Sequence, residues 1–460
     1  MAAMSQHDLI IVGAGSGGYA CALRAAELGL RPVLVEEDLV GGTCLHRGCI
    51  PTKAVLHAAE IADAARDSTR FGVHATLERV DLGEVRNYAD SVVGRLHKGL
   101  TGLIKSRSIE VVRGRGALET GPDAVEGQPT RPPMRRVRVG EQILQAPYVV
   151  LATGSSPRSL PGLEIDGTRV LTSDHALRLT ELPTSAIVLG GGVIGVEFAS
   201  AWRSFGVEVT VVEALPRLVP NEEPEISQAL QRAFRRRGIK TLIGKPMESV
   251  RVDESVTVSV SGGTEVSADI LLVAVGRAPD RTVRVDERLQ TEIEGVYAVG
   301  DLVPGLQLAH RGFAHGIFVA EEIASLRDGT PSPTPVLDQS IPRVTYSDPE
   351  IAAVGLGEAA ARERYGDIET FTYELAGNGR SQILGTQGFV KVVRRANGPV
   401  LGIHLIGARV GELVGEAQLI TNWEAYPQEV AGLIHAHPTQ SEALGEAHLA
   451  LAGKPLHVHG

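Results

Sequence analysis

Residues 9–18 read LIIVGAGSGG, an apolar run followed directly by a glycine-rich turn. A helical pattern continues through residues 20–28, and a second apolar run, 32–35, ends at Glu36. The turn has G-x-G-x-x-G spacing, carried by Gly13, Gly15 and Gly18. Such glycines allow a tight bend and the close approach of a pyrophosphate to a helix N-terminus, while the acidic residue accepts a ribose hydroxyl. The stretch therefore predicts a βαβ unit that binds a dinucleotide.

The same unit occurs a second time. An apolar run at 186–189 leads into another glycine turn, and a further apolar run, 207–212, ends at Glu213. The glycines of this turn are Gly190, Gly192 and Gly195. Glu36 lies 23 residues after Gly13, and Glu213 lies 23 residues after Gly190. Either turn alone would also fit other α/β folds, but two copies with one internal spacing predict two dinucleotide sites.

A pair of cysteines gives the second signal. Residues 41–53 read GGTCLHRGCIPTK and contain Cys44 and Cys49, two of only three cysteines in 460 residues. So few cysteines argue against a disulfide scaffold, and the nearby histidines match none of the usual zinc spacings. We therefore predict a redox-active dithiol and no metal site. Pro51 suits the first turn of a helix, whose positive end would favour a thiolate at Cys49.

Composition and charge exclude several functions. The formal net charge is −10 and aromatic residues make up only 4% of the chain, which disfavours nucleic acid and anionic membranes as partners. No run of 18 apolar residues lacks charge or glycine, and the first residues show neither a secretion signal nor an arginine-rich presequence. A cytoplasmic protein that does not span a membrane is expected.

The tail carries a candidate acid–base group. Residues 435–442 read HAHPTQSE. A histidine such as His437 can take a thiol proton at neutral pH, and a carboxylate such as Glu442 would fix its tautomer. Residues 439–442 also fit a helix capping box, and the two roles are compatible. His435 fits core packing as well as function, whereas the last two histidines, His457 and His459, are expected in a solvated tail.

Taken together, these motifs resemble the flavin-dependent pyridine nucleotide-disulfide oxidoreductases, and among them the dihydrolipoyl dehydrogenases. The resemblance runs in the family's order over essentially the whole chain, from residue 13 to residue 442. VVLATGS at 149–155 and TEIEGVYAVGD at 291–301 resemble secondary flavin-binding segments, and AVGRAP at 274–279 resembles the end of a nicotinamide domain.

The resemblance assigns the cofactors. FAD is expected at the first fingerprint and NAD at the second. Besides the fingerprint glycines and their two glutamates, it implies cofactor contacts at Thr153, Gly154, Asp301 and Gly276. It also implies that Lys53 and Glu197, each near the start of a helix, pair beside the flavin.

The implied fold is α/β: two Rossmann-like dinucleotide-binding domains, the NAD domain inserted in the FAD domain, and a C-terminal α/β dimerisation domain. The expected boundaries are 1–153 and 277–335 for the FAD-binding domain, 154–276 for the NAD-binding domain and 336–460 for the dimerisation domain. A proline-rich stretch at 331–335 precedes the last of these. An apolar stripe from Val85 to Leu103 predicts a helix that packs on the FAD domain.

The resemblance further implies oxidation of dihydrolipoamide to lipoamide by NAD⁺. Cys44 would exchange with the substrate, Cys49 would face the flavin, and His437 with Glu442 would serve as acid–base catalyst across a homodimer. The lipoyl group would come from a protein of a 2-oxo-acid dehydrogenase or glycine cleavage complex. A reductase of low-molecular-weight disulfides, of the glutathione or mycothiol type, is the alternative. Glu213 favours NAD as the cofactor. Arg217, which lies nearby in the sequence, leaves the alternative of a low-molecular-weight disulfide reductase open.

Overall fold

The computed structural model describes residues 7–119, 133–279 and 281–458. These fall into two compact units, each discontinuous in sequence. The first unit comprises residues 1–54, 84–158 and 277–338, and the second comprises 55–83, 159–276 and 339–460. The segments expected to bind NAD and to dimerise both lie in the second unit, and the domain boundaries given above remain a prediction.

The helices are α1 Ser16–Glu27, α2 Gly42–His46, α3 Cys49–Arg66, α4 Leu82–Ser106, α5 Ser173–Ala176, α6 Val193–Ser204, α7 Pro224–Arg236, α8 Ala309–Asp328, α9 Glu358–Tyr365, α10 Gly379–Leu384, α11 Val414–Asn422, α12 Pro427–Val430 and α13 Glu442–Leu451. Short 3₁₀ turns are Ser68–Phe71, Gly300–Leu302, Asp338–Ser340, Leu375–Gly377 and Val410–Leu413.

The strands are β1 Leu9–Val12, β2 Pro32–Glu36, β3 Glu110–Arg113, β4 Gly116–Leu118, β5 Arg135–Val139, β6 Gln142–Ala146, β7 Tyr148–Leu151, β8 Ser156–Pro157, β9 Val170–Leu171, β10 Ser185–Leu189, β11 Glu208–Glu213, β12 Lys240–Ile243, β13 Met247–Val252, β14 Val256–Val260, β15 Thr264–Ala268, β16 Ile270–Val273, β17 Arg277–Ala278, β18 Val296–Ala298, β19 Arg343–Thr345, β20 Glu350–Gly355, β21 Ile368–Glu374, β22 Phe389–Arg395 and β23 Val400–Gly407.

The first unit is built on a five-stranded parallel sheet with the order β18-β7-β1-β2-β3. Strands β1 and β2 are buried at every residue, as expected where helices cover both faces of a parallel sheet. Helices α1 and α8 pack together, and Phe318 and Val319 of α8 belong to the same apolar core as Leu9 and Leu34. The β1–α1–β2 unit predicted from the first fingerprint is confirmed.

The second unit contains a matching sheet with the order β12-β11-β10-β16-β9, again parallel. Its β10–α6–β11 segment confirms the second predicted unit. The register pairs Leu189 with Val212, as it pairs Val12 with Val35 in the first sheet. Because parallel strands end at one edge, each glycine turn lies beside the end of the following strand.

The C-terminal part of the second unit has a different architecture. Its five strands run antiparallel in the order β19-β20-β23-β22-β21. Helices α11 and α13 cover this sheet, and Ala417 and Leu444 enter its apolar core beside Val392 and Leu405. This sheet-and-helix layer positions His435 and His437, which lie between α12 and α13.

Helix α4 differs in part from its prediction. The helix is present, and Leu82, Ala89 and Ile104 are buried along it. Tyr88 and Leu96, which belong to the predicted packing stripe, are exposed in the chain, as is Leu103. The apolar stripe is therefore wider than the face that the chain itself covers. No described helix is both long enough and apolar enough to cross a bilayer.

Candidate active site

The first glycine turn is closed so tightly that side chains cannot fit at its two ends. Gly13 has φ +101°, and a Cβ atom there would overlap the carbonyl of Ala152. A Cβ on Gly18 would overlap the carbonyl of Gly13 itself. Only glycine tolerates this backbone conformation and this contact at low cost. The turn thereby brings the start of α1 against the end of β1.

The second turn repeats this geometry. Gly190 has φ +110°, and a Cβ there would overlap the carbonyl of Ala274. A Cβ on Gly195 would overlap the carbonyl of Gly190. The equal spacings in the sequence thus correspond to equal backbone arrangements. Both turns present a helix N-terminus, where backbone N–H groups can bind an anion.

The space around the middle glycine of each turn shows whether a dinucleotide can bind there. A Cβ on Gly15 would have its nearest neighbour 3.9 Å away, and one on Gly192 would have none within 4 Å. The fold itself therefore does not require glycine at either position. Open space remains above the N-termini of α1 and α6, where a pyrophosphate would approach the backbone. The residues present fit FAD and NAD.

The acidic residue of each unit braces its own turn. Glu36 accepts hydrogen bonds from the N–H groups of Ala14 and Asp38, at 2.6 and 2.8 Å. Glu213 accepts from those of Gly191 and Leu215, at 2.6 and 2.7 Å. Both glutamates are only 8% exposed. Each carboxylate oxygen has a second lone pair, so the predicted bond from a ribose hydroxyl is still possible.

The two segments that resemble secondary flavin-binding segments, 149–155 and 291–301, meet at Ser155. Its Oγ donates to Asp301 Oδ2 at 2.6 Å, and Arg277 donates to the Ser155 carbonyl at 2.5 Å. The structure thus brings Asp301 next to the segment that contains Thr153 and Gly154. Gly154 and Gly276 both have positive φ, +71° and +106°. Sequence reasoning assigned no role to Ser155 or Arg277, which connect these segments.

Cys44 and Cys49 lie side by side. Cys44 belongs to the short helix α2, and Cys49 is the first residue of α3, as predicted from Pro51. Hydrogen bonding to Cys49 and then burial raise the pKa of Cys44, and the positive charge of Lys53 opposes this rise. Both thiols are partly accessible, whereas Cys21 is fully buried in α1. Adjacent thiols of this kind can form and break a disulfide.

Tyr19 is a neighbour of the thiols that sequence reasoning missed. It lies on α1, immediately after the glycine turn, and its ring packs against Phe313 with centroids 5.5 Å apart. Burial, followed by the charges of Cys44 and Cys49, raises the pKa of Tyr19 to about 12. Its hydroxyl therefore stays protonated and remains a hydrogen-bond donor. No motif spacing in the sequence distinguishes this tyrosine from a packing residue.

His437 and Glu442 form a hydrogen-bonded pair. The distance from His437 Nδ1 to Glu442 Oε1 is 2.8 Å, and Glu442 Oε2 accepts the N–H of Thr439 at 2.7 Å. One carboxylate thus orients the histidine and closes the turn before α13, so both roles predicted for Glu442 coexist. Burial opposes ionisation of Glu442, but the bonds from Thr439 and His437 prevail and lower its pKa. The His437 ring is 76% exposed.

The other tail histidines differ in burial and in their carboxylate partners. His435 is nearly buried, with Nε2 2.8 Å from Glu416 Oε1. His457 is exposed and lies 2.8 Å from Glu446 Oε1. It fits the expected solvated tail, while His459 lies outside the described residues.

Lys53 and Glu197 each occupy the second turn of a helix, in α3 and α6 respectively. Glu197 is buried, and its Oε1 accepts the N–H of Tyr346 at 2.9 Å. It therefore anchors the end of β19 on the helix of the second fingerprint. The predicted pairing of Lys53 with Glu197 beside the flavin remains a prediction from the resemblance.

One group of carboxylates in the described part of the chain has metal-like spacing: Glu223, Glu225 and Glu358. The ammonium group of the buried Lys391 lies between them, at 2.7, 2.9 and 2.8 Å. A protein cation already occupies the centre of this group, so we assign it to structure.

Comparison with known families decides the classification. The sequence model described as pyridine nucleotide-disulphide oxidoreductase matches residues 7–316. This chain belongs to that family. The model of the same family's dimerisation domain matches residues 341–448, which include the antiparallel sheet and the His437–Glu442 pair.

Relatives of this oxidoreductase match along nearly its whole length. It is 39% identical to dihydrolipoyl dehydrogenase of Bacillus subtilis, over 98% of this chain and 99% of that one. It is 34% identical to the mitochondrial dihydrolipoyl dehydrogenase of Pisum sativum, over 98% and 93%. Among solved structures, LpdA of Mycobacterium tuberculosis superposes with a TM-score of 0.86 at 25% identity, covering 97% and 99%. The predicted family and fold class are confirmed.

Proposed function

We propose that this oxidoreductase is a dihydrolipoyl dehydrogenase that oxidises protein-bound dihydrolipoamide to lipoamide, with NAD⁺ as acceptor. The observation that carries the proposal is the adjacent pair Cys44 and Cys49 at a helix start, in a chain whose full-length relatives carry this name. FAD, when bound at the first fingerprint, would take two electrons from the dithiol and pass them to NAD⁺.

The protein groups have defined tasks in this reaction. His437 would remove the proton from one substrate thiol, and the resulting thiolate would attack Cys44 Sγ. The bond between Cys44 and Cys49 would break, leaving Cys49 as the thiolate. The second substrate thiol would then attack the mixed disulfide and release lipoamide and the Cys44 thiol. Glu442 would keep Nδ1 of His437 protonated, so that Nε2 acts as the base.

The remaining assignments concern cofactors and partners. FAD would be held by the first fingerprint together with Thr153, Gly154 and Asp301, with Lys53 beside the flavin. NAD would be held by the second fingerprint, with Glu197, Glu213 and Gly276. A homodimer is supported by the dimerisation-domain match. A lipoyl-bearing protein of a 2-oxo-acid dehydrogenase or glycine cleavage complex would supply the substrate. A reducible dithiol suits the cytoplasm.

Steady-state turnover tests this proposal directly. Dihydrolipoamide, glutathione disulfide and mycothiol disulfide should be compared, each with both nicotinamide cofactors. Efficient turnover of dihydrolipoamide with NAD⁺ is expected. Faster turnover of either low-molecular-weight disulfide would favour the alternative reductase and contradict the proposal.

Glu213 should give a preference for NAD(H) over NADP(H). Its buried carboxylate would lie beside the ribose 2′-oxygen of a dinucleotide bound at the second fingerprint and would repel a 2′-phosphate. Arg217, four residues after Glu213 in the chain, donates to the Pro220 carbonyl at 2.7 Å. We expect kcat/KM to favour NAD(H) roughly ten- to hundredfold or more, the scale of a few kcal/mol. Equal kcat/KM for the two cofactors would contradict this prediction.

Cys49, and not Cys44, should be the thiol that contacts the flavin. Cys49 begins α3, where the helix dipole stabilises a thiolate. Absorption spectra of Cys44→Ser should therefore keep a long-wavelength thiolate-to-flavin band at neutral pH, and Cys49→Ser should lose it. Cys21→Ala is the matched control, because Cys21 is buried within α1, and it should leave the band unchanged. A band lost in Cys44→Ser and kept in Cys49→Ser would reverse the assignment.

A further inference from the structure

The segment that carries His437 has a second histidine–glutamate pair at its base. His435 Nε2 lies 2.8 Å from Glu416 Oε1, and Glu416 projects from α11. His437, two residues later, pairs with Glu442 of α13. The three-residue segment 435–437 is thus held at both ends by carboxylates from two different helices.

His435 also packs tightly against α13. A Cβ atom placed on Gly445 would lie 2.6 Å from His435 Nδ1, so the imidazole ring rests on the backbone of that helix. Gly445 follows Glu442 by about one helical turn. The ring of His435 therefore lies between Glu416 and the helix that carries Glu442. Only 12% of its side chain is exposed.

Few other contacts within the described part of the chain hold this part of the segment. The two preceding residues, Leu433 and Ile434, are exposed, Ile434 by 99%, so they contribute little apolar packing within the described residues. Thr439 Oγ1 donates to the Ala436 carbonyl at 2.7 Å, which tightens the turn after His437. Glu442 orients the His437 ring, and the place of its backbone depends on where the chain is fixed at residue 435.

The charges around His435 reinforce this arrangement. The hydrogen bond to Glu416 raises the pKa of His435 and outweighs the opposing effect of burial. Glu442 of α13 adds to this rise, and the buried His448 of the same helix also lies close enough to interact. A protonated His435 in turn helps to keep Glu442 ionised, as a hydrogen-bond acceptor for His437.

We propose that His435 and Glu416 are positioning residues, which clamp the backbone of segment 435–437 between α11 and α13 and thereby aim His437 at its substrate. The pair need not touch the substrate or a cofactor. This inference deepens the proposed function, because it rests on His437 acting as the acid–base group.

The kinetic test uses His435→Gln, Glu416→Gln, the double variant and Glu416→Asp. Misplacing a catalytic group by about 1 Å can cost up to a hundredfold in rate, so each single variant should lose roughly ten- to hundredfold in kcat with little change in KM for dihydrolipoamide. The double variant should lose no more than either single variant, and Glu416→Asp should recover part of the rate. NADH oxidation by ferricyanide, which bypasses His437, should stay unchanged.

A physical measurement accompanies the kinetics and does not depend on substrate. Hydrogen–deuterium exchange of residues 431–441 should be faster in His435→Gln and Glu416→Gln than in the wild type. His457→Gln is the matched control, since it removes a histidine–glutamate pair of equal length elsewhere in the tail. It should leave both the exchange of 431–441 and kcat unchanged.

Any of the following results would overturn the inference: unchanged exchange of 431–441 in both single variants, an equal loss of the ferricyanide reaction, or additive losses in the double variant. Adding His435→Gln to His437→Gln should cause no further loss of kcat, and a further tenfold loss there would also contradict it. Failure of the proposed function would give a different result, because the wild type itself would then lack dihydrolipoamide turnover. Faster exchange of 431–441 in the variants would in that case still support the clamp formed by His435 and Glu416.

Discussion

Replacing His437 with glutamine should lower kcat for dihydrolipoamide by about 10²–10⁴-fold, the range that general acid–base catalysis contributes. Glutamine preserves the approximate size and polarity of the side chain but cannot take the thiol proton. Because the His437 ring is exposed, its loss should cost little stability. The measurement is steady-state turnover, with thermal unfolding recorded alongside.

Two further variants test the predicted role of His437 more closely. Glu442→Gln keeps an oxygen for His437 Nδ1 but loses the negative charge, so its loss of kcat should be smaller than that of His437→Gln. His457→Gln, which alters the comparable pair with Glu446, should behave as the wild type. A His437→Gln variant with more than a tenth of the wild-type kcat would show that another group transfers the proton.

A mixed dimer of one Cys44→Ser subunit and one His437→Gln subunit should recover about half of the wild-type activity. The resemblance implies that His437 serves the cysteines of the partner subunit, and the exposed Leu433 and Ile434 beside it fit a surface covered by another chain. If so, one site in the mixed dimer carries both substitutions and the other carries none. Each homodimer of the single variants should be nearly inactive.

Two different affinity tags allow the mixed dimer to be purified away from both homodimers. A dimer of two wild-type subunits, tagged in the same way, provides the reference for full activity. Activity near that of the inactive homodimers would show that each chain uses its own His437, and a fully active monomer would show the same.

The parts of the fold that local sequence dictates were predictable. The glycine turns admit no side chain at their ends, so the glycine spacing, together with the flanking apolar runs and the acidic residue after each second run, predicts two βαβ units. The start of α3 followed from Pro51, and the pairing of His437 with Glu442 followed from the resemblance of the HPTQSE segment to the family's motif. In each case the chemistry depends on residues close together in the chain.

The parts that depend on distant contacts were not predictable. Tyr19 approaches the thiols, and Arg277 joins the segment of Ser155, through the arrangement of the whole first unit. The pairing of His435 with Glu416 joins a residue of the segment before α13 to one of helix α11 and leaves no spacing signature. On α4, periodicity identified an apolar stripe but could not tell which part of it the chain covers.

The hydrogen bonds of the two glutamates that brace the glycine turns affect how the sequence of this enzyme can evolve. Among the contacts of the described residues, the carboxylate of Glu36 accepts hydrogen bonds only within the first turn and its strand end, and that of Glu213 only within the second. Neither carboxylate therefore couples the two nucleotide pockets, so a substitution at either glutamate is expected to act on its own pocket alone. Such independence is what a duplicated ancestral unit needs in order to diverge. It also makes the second pocket a natural target for directed evolution toward other electron acceptors.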